Sequence, residues 1–395
     1  MLYFLQACGA AAHEYGSGGF EMEQWIKGMD LSSLLEVEEC GGAFSDGGRP
    51  GDAMRILKDH GMNLVRLRLW NDPYAADGTP YGAGTCDLPR VMQLARRARQ
   101  QGVDWMLDLQ YSDFWADPGK QLVPKAWRGL DADGLEQAVY DYTFSVMTVL
   151  REANLRPALV SVGNELSSGL LWPFGQYPNF ENIARFLSAG IRAVRRVDSA
   201  VPVMIHLDNG CRNGLFHDWL DRYFAAGGAD FDCIGMSFYP FWHGTMAELR
   251  ANLNDLAACY HKDMIVTETA ALFSMEDYQR YEKLPADGRV GPAASEAALR
   301  ENPVDYPPTP EGQCRFMTEL METLRQVPDG LGRGFVYWEP AWLPVPGSGW
   351  AAEAGLAYMG SDKKVGNEWA NQTLFDYEGR ALPALAVIRD FAPQE

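Results

Sequence analysis

Apolar residues along this chain recur in two alternating rhythms. Eight short runs rich in β-branched and aromatic residues stand out: "WIKGMDLS" (25–32), "NLVRLRLW" (63–70), "WMLDLQY" (105–111), "ALVSVGN" (158–164), "PVMIHL" (202–207), "DCIGMSFY" (232–239), "DMIVTE" (263–268) and "GFVYWEP" (334–340). Between them lie longer segments whose apolar positions repeat at helical spacing, such as 51–61, 87–102, 135–154, 181–197, 245–260 and 310–327. A regular strand-then-helix alternation calls for a parallel sheet with right-handed crossovers, and eight such units close it into a (β/α)8 TIM barrel. No linker or repeat divides residues 23–395, which read as one catalytic domain. Residues 1–22 read as a flexible leader.

In such barrels the reacting groups sit at the C-terminal ends of the strands, where the following loops form the open face. Those ends are rich in acids, amides and rings. The second run ends with Arg66, Arg68 and Trp70, the third with Asp108 and Gln110, the fourth with Asn164 and Glu165. The fifth offers His206 and Asp208, the sixth Tyr239, Trp242 and His243, the seventh Glu268, and the eighth Trp338 and Glu339. Ordinary loops favour Gly, Pro, Ser and solvated charge, so this face reads as a polar cleft with aromatic walls.

Composition narrows the ligand. A formal net charge of −19 disfavours nucleic acid and anionic membranes as partners. The 12 Trp, 17 Tyr and 18 Phe exceed what a core needs and suit a neutral sugar, which rings can cover with an apolar face and a polar edge. Seven cysteines without a C-x-x-C pair argue against a disulfide framework, and six scattered histidines without H-E-x-x-H spacing give no case for a metal or other cofactor. The N-terminal run "MLYFLQACGAAA" is short, broken by Gln6 and lacks a preceding basic region. These features point towards the cytoplasm, a placement that finding the protein in the culture medium would overturn.

Glu165 and Glu268 end the fourth and seventh runs, so they face each other across the barrel mouth. A retaining glycosidase uses such a pair, one as acid and one as nucleophile, about 5–5.5 Å apart. Asn164 is placed to bond a sugar hydroxyl, Tyr239 to hold the nucleophile, and Arg66 to keep Glu268 ionised. A single strand-end Glu is as well explained by a salt bridge, but a salt bridge does not account for the pair together with Asn164, Tyr239 and two arginines.

The segments "GMDLSSLLEVEECGG", "GMNLVRLRLWNDPY", "YSDFWADPGKQ", "PKAW", "GNELSSGLLWPFG", "HLDNG", "YPFWHGT", "LNDLA", "VTETA" and "YWEPAW" resemble, in order from Trp25 to Phe391, the motifs of glycoside hydrolase family 53, the endo-β-1,4-galactanases that act on arabinogalactan. That resemblance implies a retaining barrel with Glu165 as acid/base and Glu268 as nucleophile. It also implies that Asn164, Arg66, His206, Tyr239 and Trp338 fall in the cleft, with Trp70, Trp115, Trp172 and Trp242 as platforms for sugar rings. Gln110 stands where relatives carry a His, keeping hydrogen bonding but losing a proton carrier. The segment 271–310 lacks an Asp-rich calcium run, so no calcium is expected, and it is long enough to cap the cleft. The stretch "ECGGAFSDGG" is richer in glycine than its counterparts.

Two other readings remain at this point. The same acid pair would serve a xylanase, mannanase or glucanase, and a barrel that binds sugar without cleaving it would share the rings but lack a carboxylate. A phosphate-binding metabolic barrel is disfavoured, because "GLGRG" (330–334) precedes a strand rather than opening a helix.

Overall fold

The computed structural model describes residues 24–301 and 304–393. The leader expected over 1–22 lies outside the described residues. The eight expected strands all form: β1 Ile26–Asp30, β2 Leu64–Leu69, β3 Asp104–Leu109, β4 Leu159–Val162, β5 Val203–Leu207, β6 Cys233–Phe238, β7 Asp263–Thr269 and β8 Gly332–Tyr337. They pair in parallel in sequence order, and β8 returns to β1, closing the barrel.

Eight helices wrap the outside: α1 Ala53–Asp59, α2 Leu88–Gln100, α3 Ala132–Glu152, α4 Phe180–Val197, α5 Asn213–Ala225, α6 Met246–Tyr260, α7 Pro310–Arg325 and α8 Ala384–Asp390. Their starts carry readable caps. The Asp131 carboxylate accepts from Gly134 N at 2.9 Å ahead of α3, and Thr245 and Glu248 form a reciprocal capping box ahead of α6. α4 turns Ile183, Phe186, Leu187, Ile191 and Val194 inward, each essentially without solvent exposure. Burying a side chain of that size stabilises by about 1.5–3 kcal/mol, so packing rather than propensity holds this helix in place. Among the described residues no helix is long and apolar enough to cross a membrane.

The barrel interior is layered. Ile26, Leu64, Met106, Leu159, Met204, Cys233, Ile265 and Val336, one residue from each strand, form a buried apolar plug. Side chains two residues further along a strand share its face, so the next inward layer brings Arg66, Asp108, Ser161 and His206, and the one above it Asp30, Arg68, Gln110, Asp208 and Ser237. Gly28 leaves room in that layer, since a Cβ there would lie 2.8 Å from the Val336 side chain. Thus the barrel is apolar at its base and charged towards its mouth.

One irregularity decides the chemistry of β7. Met236 pairs with Val266 but Ser237 pairs with Glu268, so Thr267 is an extra residue. Strict alternation from Ile265 would turn Thr267 inward. The bulge moves Glu268 onto that face instead.

Two loops add to the barrel, and the second departs from expectation. The glycine-rich stretch after β1 forms a hairpin, Phe44–Asp46 against Arg49–Gly51, with Gly47 and Gly48 at φ of 54° and 76°. Among the described residues, the segment after β7 contributes none to the lining of the cleft. It packs behind the long β8 loop, with Val290 N donating to Val365 O at 2.8 Å and Ala293 N to Glu368 O at 2.7 Å.

Candidate active site

A cleft of about 300 Å³ opens at the C-terminal mouth of the barrel. Glu165, Glu268, Asn164, Gln110, Asp208, Tyr239, Trp115, Trp242 and Trp338 all line it, as the strand ends suggested. So do Asp117, Lys120, Trp350, Lys363, Glu368 and Trp369, which sequence reading passed over.

Glu165 follows Gly163 and Asn164 at the end of β4 with φ at 47°, and Gly163 itself sits at 85°. Tyr111, Asn209 and Glu339, just past β3, β5 and β8, have φ of 49°, 57° and 47°. Left-handed backbone is costly for residues with a Cβ and clusters where function demands a particular side-chain direction.

Arg66 organises the floor. Its Nη1 contacts Asp30 Oδ2 at 3.0 Å and Glu268 Oε1 at 2.7 Å, while its Nη2 donates to Asp108 Oδ2 at 2.9 Å and Asn164 Oδ1 at 2.8 Å. Arg68 lies alongside, with Nη1 at 3.2 Å from Asp30 Oδ1 and 2.6 Å from Glu339 Oε1. Asp30, Asp108, Glu268 and Glu339 are four carboxylates against two guanidiniums. Burial raises Glu339 to about 7 despite Arg68.

A guanidinium only donates, so it fixes the Asn164 amide with its oxygen inward. The amide nitrogen then donates to Ala116 O at 2.9 Å, on the side of the cleft. The same oxygen lies 2.9 Å from His206 Nδ1, so that nitrogen carries the ring proton. Burial, then Arg66 and His243, hold His206 well below the usual imidazole range. Its Nε2 lies 2.9 Å from Ser237 Oγ. Ser237 Oγ donates to Glu165 Oε1 at 2.7 Å. Burial, then Glu268 and Asp208, push Glu165 well above the usual carboxylate range, against the Ser237 hydrogen bond, which favours the ionised form. Burial also raises Glu268, but Arg66 opposes it, and Tyr239 Oη donates to Glu268 Oε2 at 3.2 Å. The two acids thus sit in different surroundings, Glu268 beside the Arg66 guanidinium and Glu165 beside the Ser237 hydroxyl.

Several candidates take a different position from the one expected. Arg66 and His206 are fully buried beneath the floor and do not line the cleft, so they orient Asn164, Glu268 and Glu165 rather than touch a ligand. Trp70 is also fully buried, donating Nε1 to Gln110 Oε1 at 2.7 Å, and is no platform. Trp172 lies in a separate surface groove with Ser168, Tyr177 and Arg212. Gln110 is held by Trp70 on one side and donates Nε2 to Asp108 Oδ2 at 3.1 Å on the other.

The aromatic wall is built by the loops after β3, β6 and β8. Trp369 packs edge-on against Trp338, with centroids 4.6 Å apart, and meets Trp242 at 5.4 Å and 88°. Trp115 donates Nε1 to Trp350 O at 2.8 Å. Trp242 is 38% exposed, a ring presented to solvent above the acids. Asp208 Oδ1 is buried at the cleft without a partner in the protein, leaving an acceptor for a hydroxyl.

Comparison with known proteins places the chain in a family. The family model described as Glycosyl hydrolase family 53 matches residues 26–388. This chain belongs to that family. An endo-beta-1,4-galactanase of Bacillus subtilis (strain 168) is 32% identical over 386 residues, covering 93% of this chain and 86% of that protein. An arabinogalactan endo-beta-1,4-galactanase of Thermothelomyces thermophilus is also 32% identical, covering 92% and 98%. Among solved structures, the family 53 catalytic domain of Ignisphaera aggregans superposes with a TM-score of 0.84 at 37% identity, covering 93% of this chain and 96% of that one.

Proposed function

We propose that this family 53 hydrolase cleaves β-1,4-galactosidic bonds within galactan or galacto-oligosaccharides with retention of configuration. Relatives named as endo-beta-1,4-galactanases match over nearly the whole chain, and the observation that carries the mechanism is the pair of differentiated acids in one cleft. Glu165 gives its proton to the glycosidic oxygen while Glu268, ionised beside Arg66, attacks the anomeric carbon. The leaving chain departs and a galactosyl ester forms on Glu268. Glu165, now a carboxylate, takes a proton from water, the water opens the ester, and the acid is restored. Tyr239 holds Glu268 in line, the Asn164 amide meets the sugar 2-hydroxyl, Asp208 and Gln110 take further hydroxyls, and Trp115, Trp242, Trp338 and Trp369 cover the rings. The partner is a neutral glycan chain, consistent with a surface too acidic for polyanions.

The test is incubation of the protein, and of Glu268→Ala, with linear β-1,4-galactan, with products followed by chromatography and NMR. Release of oligomers with β-configured new ends by the unaltered protein alone is expected. Cleavage of xylan, mannan or glucan but not galactan would overturn the substrate, and α-configured products would overturn the mechanism.

A further inference from the structure

Outside the barrel, α5 and α6 bring together His217, Asp255 and Cys259, whose ligand atoms lie within 4.8 Å of one another. Asp255 and Cys259 are one turn apart on α6 and share a face, while His217 reaches across from α5. The His217 ring is oriented from behind. Tyr260 Oη donates its only proton to Asp221 Oδ1 at 2.7 Å, because a carboxylate can only accept. The Tyr260 oxygen then accepts from His217 Nδ1 at 3.1 Å, which fixes the proton on that nitrogen and turns Nε2 towards Asp255. Nε2 and Asp255 Oδ2 stand 2.5 Å apart. That contact is a His–Asp ion pair when the ring is protonated, and a metal ion bound here takes the place of the shared proton.

We infer that His217 Nε2, Asp255 and Cys259 form a divalent transition-metal site, with zinc the best match, that staples α5 to α6. Imidazole, carboxylate and thiolate are the ligand types zinc takes in three-residue sites, with water as the fourth ligand. A sulfur ligand disfavours magnesium and calcium. The Asp221–Tyr260–His217 chain is the outer support that metal-bound histidines use to set their tautomer. All three ligands are partly solvent-accessible, which gives the ion a way in. The strands ahead of these helices, β5 and β6, carry His206 and Ser237, so the staple braces the wall behind the acid/base without entering the cleft.

The test uses the full chain with zinc chloride in isothermal titration calorimetry, and with cobalt(II) as a spectroscopic substitute. One zinc per chain is expected, with affinity falling at least tenfold in His217→Ala and in Cys259→Ser, and with a rise in Tm that only the unaltered protein shows. Cobalt bound at this site gives a thiolate-to-metal charge-transfer band in the near ultraviolet that Cys259→Ser abolishes. Absence of that band from the unaltered protein, or zinc binding equally strong in both variants, overturns the proposal. The cobalt spectrum of the unaltered protein decides even if a variant fails to fold.

Discussion

Replacing Arg66 by Lys separates charge from geometry at the floor of the cleft. The guanidinium places hydrogens of its two terminal nitrogens on four acceptors, Asp30, Glu268, Asp108 and Asn164. An ammonium has three hydrogens on one atom, so at least one buried acceptor is orphaned, at a cost of about 1–3 kcal/mol in stability. Glu268 feels the change most directly. At an effective dielectric of about 20, withdrawing the cation from 2.7 Å to about 4 Å of Glu268 Oε1 weakens the attraction by roughly 2 kcal/mol. That corresponds to about 1.5 pH units. Because Glu268 must be ionised to attack, and a weaker cation raises its pKa, the acid limb of the kcat/KM profile should move to higher pH by about 1–1.5 units. The basic limb, set by Glu165, should hold its place. The assay is kcat/KM on galactan from pH 4 to 9, with circular dichroism to establish that the variant is folded. A folded variant whose acid limb coincides with that of the unaltered protein would refute the role given to Arg66.

Tyr239→Phe removes the hydroxyl that donates to Glu268 and should lower kcat by about tenfold with KM nearly unchanged, the loss of one hydrogen bond to a charged group; a raised KM at constant kcat would count against it. Trp369→Ala should raise KM for galactan by about 3–10-fold while leaving kcat within twofold, the loss expected for one stacked ring, and an unchanged KM would remove Trp369 from the binding wall. Glu339 is raised to about 7 in the folded protein, so its contribution to stability is fully present below the unfolded value of about 4.3 and is lost as pH rises through 7. Glu339→Gln should therefore flatten the Tm–pH curve between about pH 4.5 and 7.5, and an unaltered slope would show that Glu339 does not titrate in that window.

The eight strands were legible because each is a compact apolar run bounded by turn residues, and observed ends differ from expected ones by only a residue or two at most positions. Glu165 and Glu268 were legible as acids closing apolar runs. Depth was not. Alternation tells which face a side chain takes but not how far below the mouth it lies, so Arg66 and His206 read as ligand contacts although they lie under the floor. The extra residue at Thr267 leaves no mark in "DMIVTE", where a regular strand and a bulged one look alike. Ser237 was a small polar residue inside an apolar run, and only its position between His206 and Glu165 gives it meaning. Helix α5 was overlooked because it starts at Arg212 without a side-chain cap, and Trp350 and Trp369 because they stand in a long loop without periodicity.

The mouth of this barrel also bears on how the protein would respond to selection for heat resistance. Glu165, Tyr111, Asn209 and Glu339 each leave a strand with left-handed backbone, at roughly 1 kcal/mol apiece relative to glycine. A lineage pressed only to survive higher temperature would gain by relaxing these corners, and at Glu165 the relaxed chain would turn away the side chain proposed as proton donor. The helices and the apolar plug carry no such conflict. Thermal adaptation of this enzyme is therefore channelled to its outer shell and its base, and the rim around the acids is the part that divergence between hot and temperate relatives should leave least altered.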